Sequence, residues 1–301
     1  MKVGLTGATG FVGSHVLAEL HEQGHEVTAF VRESGAARAA ERGATPVVVD
    51  LEDRAAMAEL LGALDAAVHT ASPGDETSAA LDAAVVDAAL AAFEGTGKAY
   101  VHISGGWIYG ENLAITEDSP PDPPPLVAWK PSIEERVISA PGMRGIVIVS
   151  SVAYGDGGGG VPGLLLGSPR DDAGNLIMLG DGAQHWDTVH VADLAHVFRL
   201  VLEDDGARGR YVIGNGLDPT VAELTEAAAV AVGAAGAVPG SDEEAKGRLG
   251  AYLAEVLLID QGSAAHRAAD ELRWAPTRPD FVAELRTGSY LGAGSPGQGG
   301  G

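Results

Sequence analysis

The segment Gly7-Ala8-Thr9-Gly10-Phe11-Val12-Gly13 decides the fold. It follows a short apolar strand at 3–6 and opens a helix that we predict at 11–23. Glycines in this spacing permit a tight turn, a close approach of the backbone to a pyrophosphate, and close packing of the helix on the strand. The start of the helix then faces the phosphates, because its free N–H groups and its dipole favour an anion. The segment therefore predicts a dinucleotide-binding turn at the start of an α/β fold.

The rest of the N-terminal half repeats the alternation of apolar strands and alanine-rich helical stretches. Further strands are predicted at 26–31, 45–49, 66–70, 99–103 and 145–150. Strands separated by helices favour parallel pairing through βαβ crossovers, so we expect an α/β protein with a Rossmann doubly wound parallel sheet. The sequence predicts an NAD(P)-binding Rossmann domain at 1–155, a small C-terminal substrate-binding lobe with part of the Rossmann core at 156–291, and a flexible tail at 292–301.

Charge and composition exclude several classes of protein. The chain has 301 residues and a formal net charge of -23, and such a surface repels nucleic acid and anionic membranes. It has no cysteine, which excludes disulfides, thiol nucleophiles and cysteine-ligated metals. No apolar run approaches the roughly 20 residues of a membrane span, and the first strand leaves no room for a signal peptide. We expect a cytoplasmic protein with a small-molecule substrate, with a homodimer as the alternative to a monomer.

The residue at the end of the second predicted strand selects between the two nicotinamide dinucleotides. An NAD enzyme usually has an acidic residue there, which binds the ribose 2′-hydroxyl. Here the strand ends at Arg32, whose guanidinium suits a bidentate contact with a 2′-phosphate. Glu33 follows and is an alternative ligand for the hydroxyl. NADP(H) is therefore the preferred cofactor, and NAD(H) is the alternative.

The other cofactor residues are predicted from their positions directly after strands, where open α/β sheets bind ligands. The third strand is followed by residues suited to the adenine, and the fourth by residues suited to the pyrophosphate and ribose. With the glycine turn and Arg32, the predicted cofactor-binding residues are Gly7, Thr9, Gly10, Phe11, Val12, Gly13, Arg32, Asp50, Leu51, Thr70, Ala71 and Ser72.

These segments resemble the extended short-chain dehydrogenase/reductase superfamily, in its NAD-dependent epimerase/dehydratase branch. The resemblance runs from residue 1 to about residue 291. It is also carried by HISGGWIYG at 102–110, VAYG at 152–155, GDG at 180–182, VHVADLA at 189–195 and ELRWAP at 271–276. It implies an NAD(P)-dependent oxidoreductase of the short-chain dehydrogenase/reductase type.

The catalytic residues depart from the pattern of that family. The pattern has a serine four residues before the tyrosine of a Tyr-Gly pair, and here that position is Gly105, with Ser104 one residue early. The pattern also has Tyr-x-x-x-Lys, in which Lys130 matches the lysine and Leu126 stands in place of the tyrosine. Because Leu126 has no proton to donate, the usual tyrosine-assisted hydride transfer cannot run unchanged.

The resemblance leaves three catalytic candidates, Tyr109, Lys130 and Ser104. Lys130 is expected to hold the hydroxyls of the nicotinamide ribose, so Lys130 and Ser104 are also counted as cofactor-binding residues. We predict that Tyr109 replaces the missing acid, with its pKa lowered by a neighbouring lysine ammonium. The alternative is that Tyr109 only packs.

The predicted substrate-binding residues are Trp107, Tyr154, His185 and Trp186. Sugar-nucleotide members of the family carry a phosphate-binding arginine where this chain has Trp186, and the family's Arg-Pro is replaced by Ser150-Ser151. A tryptophan binds phosphate poorly but forms a good wall for an apolar or aromatic molecule. A sugar nucleotide is therefore disfavoured as substrate.

No metal site is predicted. His21-Glu22-Gln23-Gly24-His25 matches the letters of a zinc-protease motif, but Gly24 ends the helix and separates the two histidines, so we predict a surface turn. His190 and Asp193 are assigned structural roles. The glycine-rich residues 156–160 are predicted to form a mobile loop at the mouth of a pocket.

The leading hypothesis is an NADPH-dependent reductase of a small, largely apolar carbonyl, imine or conjugated double bond. The first alternative is an epimerase, dehydratase or isomerase that uses its dinucleotide transiently. The second is a non-catalytic NAD(P)-binding sensor or scaffold, which the missing tyrosine would suit. Net consumption of NADPH distinguishes the first hypothesis from the other two.

Overall fold

Seven parallel strands form the central sheet in a computed structural model, which describes residues 1–293. In chain order the strands are β1 (Lys2–Thr6), β2 (Glu26–Val31), β3 (Thr45–Val48), β4 (Ala66–His69), β5 (Ala99–Gly105), β6 (Asn112–Ile115), β7 (Arg144–Ser150), β8 (Val152–Tyr154), β9 (Leu176–Ile177), β10 (Thr188–His190), β11 (Gly209–Ile213), β12 (Ala237–Val238) and β13 (Gln261–Ser263). The order in the central sheet is β11-β7-β5-β4-β1-β2-β3. The remaining strands pair in twos, as β10 with β8, β12 with β9, and β13 with β6.

Helices connect the strands and cover both faces of the sheet. They are α1 (Phe11–Glu22), α2 (Ala36–Glu41), α3 (Arg54–Gly62), α4 (Ser78–Phe93), α5 (Lys130–Ile138), α6 (Gly160–Leu166), α7 (Val191–Glu203), α8 (Val221–Ala231), α9 (Asp242–Leu249), α10 (Ala251–Leu258), α11 (Arg267–Leu272) and α12 (Phe281–Thr287). Within residues 1–293, none of these helices has both the length and the apolar character needed to cross a membrane.

The strand order places a switch point between β1 and β4. The chain proceeds from β1 to β2 and β3 on one side, and then returns to place β4, β5, β7 and β11 on the other side. The loops that leave β1 and β4 therefore diverge and open a crevice at the carboxyl edge of the sheet, where such folds bind ligands. This order confirms the predicted doubly wound Rossmann sheet.

Two apolar cores flank the sheet. Successive residues of a strand point to opposite faces, so in β5 Val101 belongs to the core shared with α1 and α7, and Tyr100 to the core shared with α3, α4 and α5. Both faces are covered, so β7 is buried along almost its whole length. The contact between α1 and α7 shows that residues beyond 155 contribute to the core that covers this face of the sheet.

A third core builds the C-terminal lobe from residues of α6, α8, α10 and α12. Tyr154, Trp186, Phe281 and Tyr290 are its buried aromatic members. Trp107, in the 3-10 turn after β5, packs against both this core and the α4–α5 core. It therefore lies at the junction between the sheet and the lobe.

Most predicted limits agree with the structure to within two residues. The largest difference on the main sheet is β5, which was expected to end at residue 103 and continues to Gly105. The predicted flexible tail is wrong at its start, because the Gly292 N–H donates to Ala231 O at 2.9 Å and the Ala293 N–H donates to Tyr290 O at 3.1 Å. The rest of that tail, 294–301, lies outside the described residues.

Candidate functional site

The glycine turn fixes β1, α1 and β4 against one another. Gly7 has a φ of +76°, and a Cβ there would lie 2.7 Å from backbone atoms of Thr70 and Ala71. A Cβ on Gly13 would lie 2.1 Å from Gly7 O. Gly10 differs, because it is exposed and a Cβ there would meet only Gly7 O, at 3.3 Å. Gly7 and Gly13 therefore serve packing, whereas Gly10 faces the crevice at the start of α1.

The structure brings the other predicted cofactor residues to the same edge of the sheet. Arg32 is exposed directly after β2, and within residues 1–293 its guanidinium forms no ion pair. Asp50 follows β3 and accepts the Glu52 N–H at 3.0 Å, while Leu51 packs against the α4–α5 core. Ser72, after β4, is exposed.

Thr6 and Thr70 connect β1 to β4. The Thr70 hydroxyl donates to Thr6 O at 2.8 Å, and the N–H groups of Thr70 and Ala71 point at Thr6 Oγ1 at 3.3 and 3.4 Å. These donors are used within the protein. In this structure Thr70 and Ala71 hold the walls of the crevice together, and their contact with a pyrophosphate stays a prediction.

Phe11, the aromatic residue of the glycine turn, lies against the glycine-rich segment that begins at Asp156. A Cβ on Gly158 would lie 2.7 Å from the Phe11 ring. The Tyr290 hydroxyl holds this segment, because it accepts the Gly155 N–H at 2.7 Å and donates to Gly158 O at 2.5 Å. Residues 156–159 lie outside the helices and strands, whereas Gly160, which was predicted to belong to the loop, is the first residue of α6. The hydrogen bonds from Tyr290 anchor the segment.

Lys130 is the first residue of α5 and reaches a buried carboxylate. Its Nζ lies 3.6 Å from Asp82 Oδ2 and 4.4 Å from the centroid of the Trp129 ring. Its side chain is 19% exposed, so most of it is covered by the protein. Leu126, four residues earlier, is 39% exposed in a separate 3-10 turn, Pro125–Val127, against which α10 packs.

Asp82 lies on the face of α4 that packs against the sheet. Asp82 Oδ1 accepts a hydrogen bond from His69 Nε2 at 3.0 Å, and Oδ2 lies 3.5 Å from His102 Nε2. Burial raises the pKa of Asp82, but the hydrogen bonds from His102 and His69 outweigh it and hold the pKa below its ordinary value. Burial lowers the pKa of His102 to about 4, which keeps that ring neutral at neutral pH.

The structure corrects the role predicted for Tyr109. Its ring is buried, and its hydroxyl has no hydrogen-bond partner among the described residues. Burial raises the pKa of Tyr109 to about 12, and the Glu134 carboxylate adds to the rise. No lysine lowers it, contrary to expectation, so the phenol holds its proton too tightly to be a good acid near pH 7. The alternative, that Tyr109 packs, agrees with this geometry.

Ser104 is also committed to a structural contact. Its hydroxyl donates to Glu134 Oε1 at 2.5 Å, and Arg210 Nε donates to the other oxygen of Glu134 at 2.9 Å. All three groups lie on the α5 side of the sheet, and the Glu134 side chain is buried. Ser104 therefore has no free proton to offer a substrate, which corrects its predicted catalytic role.

Two of the four predicted substrate residues are buried in the lobe. Trp186 is 2% exposed and its indole N–H donates to Leu257 O at 3.1 Å. The Tyr154 ring is fully buried and its hydroxyl donates to Pro279 O at 2.8 Å. Neither offers a surface to a substrate, which corrects their assignment. Trp107 remains half-buried at the junction between sheet and lobe.

His185 is the most accessible of the predicted substrate residues. Its ring is 39% exposed, and its Nδ1 lies 2.9 Å from Asp260 Oδ1, which also accepts the His185 N–H at 2.7 Å. Its backbone carbonyl accepts the Gln261 N–H. This His–Asp pair leaves Nε2 free to exchange protons with a ligand.

The sequence did not reveal several polar groups near the site. The Gln261 amide donates to Gly106 O at 2.9 Å and to Gly110 O at 2.7 Å, which fixes the turn after β5. Burial raises the pKa of Asp187 to about 7, and one oxygen of this carboxylate accepts the Ser151 hydroxyl. Asp82 had one signal, since it is a lone acid in the apolar run 79–86 of a predicted helical stretch.

Residues 21–25, which match the zinc-protease motif in sequence, form the end of α1 and the turn into β2. Gly24 has a φ of +81° between α1 and β2, and His25 Nε2 lies 3.0 Å from Glu203 Oε1. His190 caps α7 by accepting the Ala192 N–H, and the Asp193 carboxylate accepts N–H groups of Thr277 and Arg278. Both have the structural roles assigned from the sequence.

Gly10→Val is expected to abolish dinucleotide binding and leave the fold intact. The branched side chain fits the extended backbone of Gly10 but fills the place that a pyrophosphate needs. Titration with NADPH and NADH measures binding, and thermal unfolding measures the fold. Gly13→Val is the contrasting variant and is expected to unfold. Unchanged affinity in a folded Gly10→Val protein would refute this site.

The burial of His102 predicts a loss of stability in acid. Its pKa is about 4 in the folded protein and about 6.5 when unfolded, so between these values the unfolded chain binds the extra proton. Its contribution is complete above pH 6.5 and falls as pH decreases, by about 2 kcal/mol between pH 7 and pH 5. Urea unfolding of His102→Gln is expected to show a smaller loss than the wild type, and the exposed control His266→Gln the same loss. Equal losses in all three would contradict the assignment.

The sequence comparisons show the family. The model of the NAD dependent epimerase/dehydratase family matches residues 3–214. An uncharacterised Schizosaccharomyces pombe protein, C2A9.02, is 28% identical over 313 residues, covering 97% of this chain and 100% of that protein. Human epimerase family protein SDR39U1 is 27% identical over 266 residues, covering 79% of this chain and 83% of the human protein.

Two solved structures show the same fold. Human SDR39U1 (isoform 2) with NADPH has a TM-score of 0.72 at 23% identity, covering 96% of this chain and 99% of that one. UDP-glucose 4-epimerase from Thermotoga maritima, with UDP-glucose, has a TM-score of 0.74 at 20% identity, covering 97% of this chain and 98% of that one. From the family match and the glycine turn at the switch point, we conclude that the chain belongs to the NAD dependent epimerase/dehydratase family of NAD(P)-binding Rossmann enzymes.

Proposed function

We propose that this protein is an NADPH-dependent reductase of a small, largely apolar carbonyl, imine or conjugated double bond. The observation that carries the choice of cofactor is Arg32, which is exposed at the end of β2 and forms no ion pair within residues 1–293. A free guanidinium at this position suits the 2′-phosphate of NADPH. That a structure of human SDR39U1 contains NADPH supports the same choice. Glu33 is the ligand that NADH would use instead.

The proposed substrate follows from the groups that the crevice lacks. The family resemblance implies that Trp186 stands where sugar-nucleotide members have a phosphate-binding arginine, and the buried Trp186 offers no cation to a sugar nucleotide. The half-buried Trp107 and the exposed Leu126 are apolar surfaces on the lobe side of the sheet. Bound NADPH supplies a hydride to an electrophilic carbon, and Lys130 is proposed to orient the nicotinamide ribose.

A reduction also needs a proton donor. Tyr109 and His102 are poor donors at neutral pH, because one has a pKa of about 12 and the other of about 4. We propose that His185 supplies the proton, since its ring is half exposed and Asp260 orients it through Nδ1. Bound water is the alternative donor.

One observation favours a second function, a non-catalytic NAD(P)-binding sensor. The hydroxyls expected near the nicotinamide are unavailable, because Ser104 is bonded to Glu134 and Tyr109 is buried. A sensor would bind the dinucleotide and consume none with any substrate. Loss of NADPH absorbance in the presence of small aldehydes, ketones, imines and enones distinguishes the two.

Arg32→Ala is expected to weaken NADPH binding by about ten- to a hundredfold and to leave NADH binding unchanged. A charge-assisted bidentate contact contributes roughly 1.5–3 kcal/mol, and every 1.4 kcal/mol is tenfold in affinity. Fluorescence titration of both dinucleotides measures the effect. Glu33→Gln is the control and is expected to leave NADPH binding unchanged. A wild type that binds NADH as tightly as NADPH would contradict the proposal.

His185→Gln is expected to lower turnover by roughly 10²–10⁴, the usual contribution of one general acid. Tyr109→Phe is expected to retain most of the turnover, because the buried phenol donates no proton. Steady-state rates on the best substrate of the panel measure both. His266→Gln is the matched control, since His266 is an exposed histidine that also pairs with an aspartate, Asp270. A large loss in Tyr109→Phe and none in His185→Gln would reverse the assignment.

A further inference from the structure

The Lys130 ammonium has one anionic partner among the described residues, Asp82 at 3.6 Å. A lysine side chain has several rotatable bonds and loses entropy when it is held in one geometry. The face of the Trp129 ring and the Asp82 carboxylate both hold the ammonium, and of the two only the carboxylate carries a charge. The position of the ammonium at the crevice therefore depends on the position of the Asp82 carboxylate.

The Asp82 carboxylate is fixed in turn by two adjacent strands. His69 at the end of β4 and His102 in β5 approach its two oxygens, at 3.0 and 3.5 Å. Asp82 is 3% exposed, and a buried carboxylate is stable only when its oxygens are paired. The Tyr100 hydroxyl lies 3.4 Å from His102 Nδ1, so that ring is held from both sides. The carboxylate has little freedom to move.

The same network reaches the cofactor turn. His69 Nδ1 lies 2.7 Å from Thr6 Oγ1, the atom at which the N–H groups of Thr70 and Ala71 point. Thr6 directly precedes Gly7, the first glycine of the turn. An unbroken path of polar contacts therefore connects Lys130, through Asp82 and His69, to the backbone that forms the pyrophosphate crevice.

We infer that Asp82 is a positioning residue, which holds Lys130 against the cofactor and couples it to the glycine turn through His69 and Thr6. The inference rests on the proposed function in one respect, that Lys130 contacts the dinucleotide. It assigns Asp82 no contact with substrate or cofactor. Loss of its charge releases the ammonium, so it acts on dinucleotide affinity only through Lys130.

A double-mutant cycle on dinucleotide binding tests the inference. Asp82→Asn and Lys130→Met are each expected to weaken binding about tenfold, and the double variant is expected to bind no more weakly than Lys130→Met alone. A merely structural role for Asp82 would instead lower the affinity by the same factor in both backgrounds, which would overturn the inference. Unchanged affinity in Asp82→Asn would also overturn it.

Asp87→Asn is the matched control. Asp87 lies on the same helix but pairs with Arg54 and Arg136. The Asp87→Asn variant is expected to bind the dinucleotide with unchanged affinity. If thermal unfolding shows that Asp82→Asn does not fold, His102→Gln replaces it in the cycle, with the same expected pattern. The cycle is run with whichever of NADPH and NADH the wild type binds, so a wrong cofactor choice does not decide the outcome. A wild type that binds neither would overturn both proposals.

Discussion

Three backbone segments approach one another at the switch point of the sheet so closely that two of them have no room for a side chain. Gly13 lies against Gly7 O, and Gly7 lies against the backbone at Thr70. This contact fixes the start of α1 relative to β1 and β4 and so decides where an anion meets the helix. The positions of the other residues at the crevice depend on this contact. Gly10, which is not needed for packing, is the glycine left to face a ligand.

The α4–α5 face of the sheet carries an uncommon number of polar groups for a buried parallel sheet. Thr6, His69, His102 and Tyr100 all point to this side, and Asp82 meets them from α4. Each would cost roughly 1–3 kcal/mol if left without a partner, so the groups stabilise the fold only as a set. The adjacent Ser104, Glu134 and Arg210 form a second set with the same property. The polar character of this face is therefore a constraint on the whole sheet as well as on the site.

Local signals allowed the fold and the cofactor edge to be predicted from the sequence. The glycine spacing, the strand periodicity and the turn residues act over a few positions, which is why the strands of the parallel sheet and the glycine turn after β1 were predicted correctly. Side-chain environments depend on contacts between distant segments and were predicted poorly. Trp186 is buried by packing in the core of the lobe, where Leu257 O accepts its indole N–H. Tyr109 is a weak acid because it lies buried near Glu134. No spacing of residues in the sequence predicts either of these contacts.

The last described residues stabilise the structure, although their sequence resembles a flexible tail. Tyr290 holds the glycine-rich segment over Phe11, and Gly292 is bonded to Ala231 of α8. Removing the last dozen residues as a dispensable linker would remove Tyr290 and so release the glycine-rich segment that lies against Phe11. An expression fusion should therefore be joined after residue 301 or at the N-terminus, and a shortened form of this enzyme should retain every residue through 293.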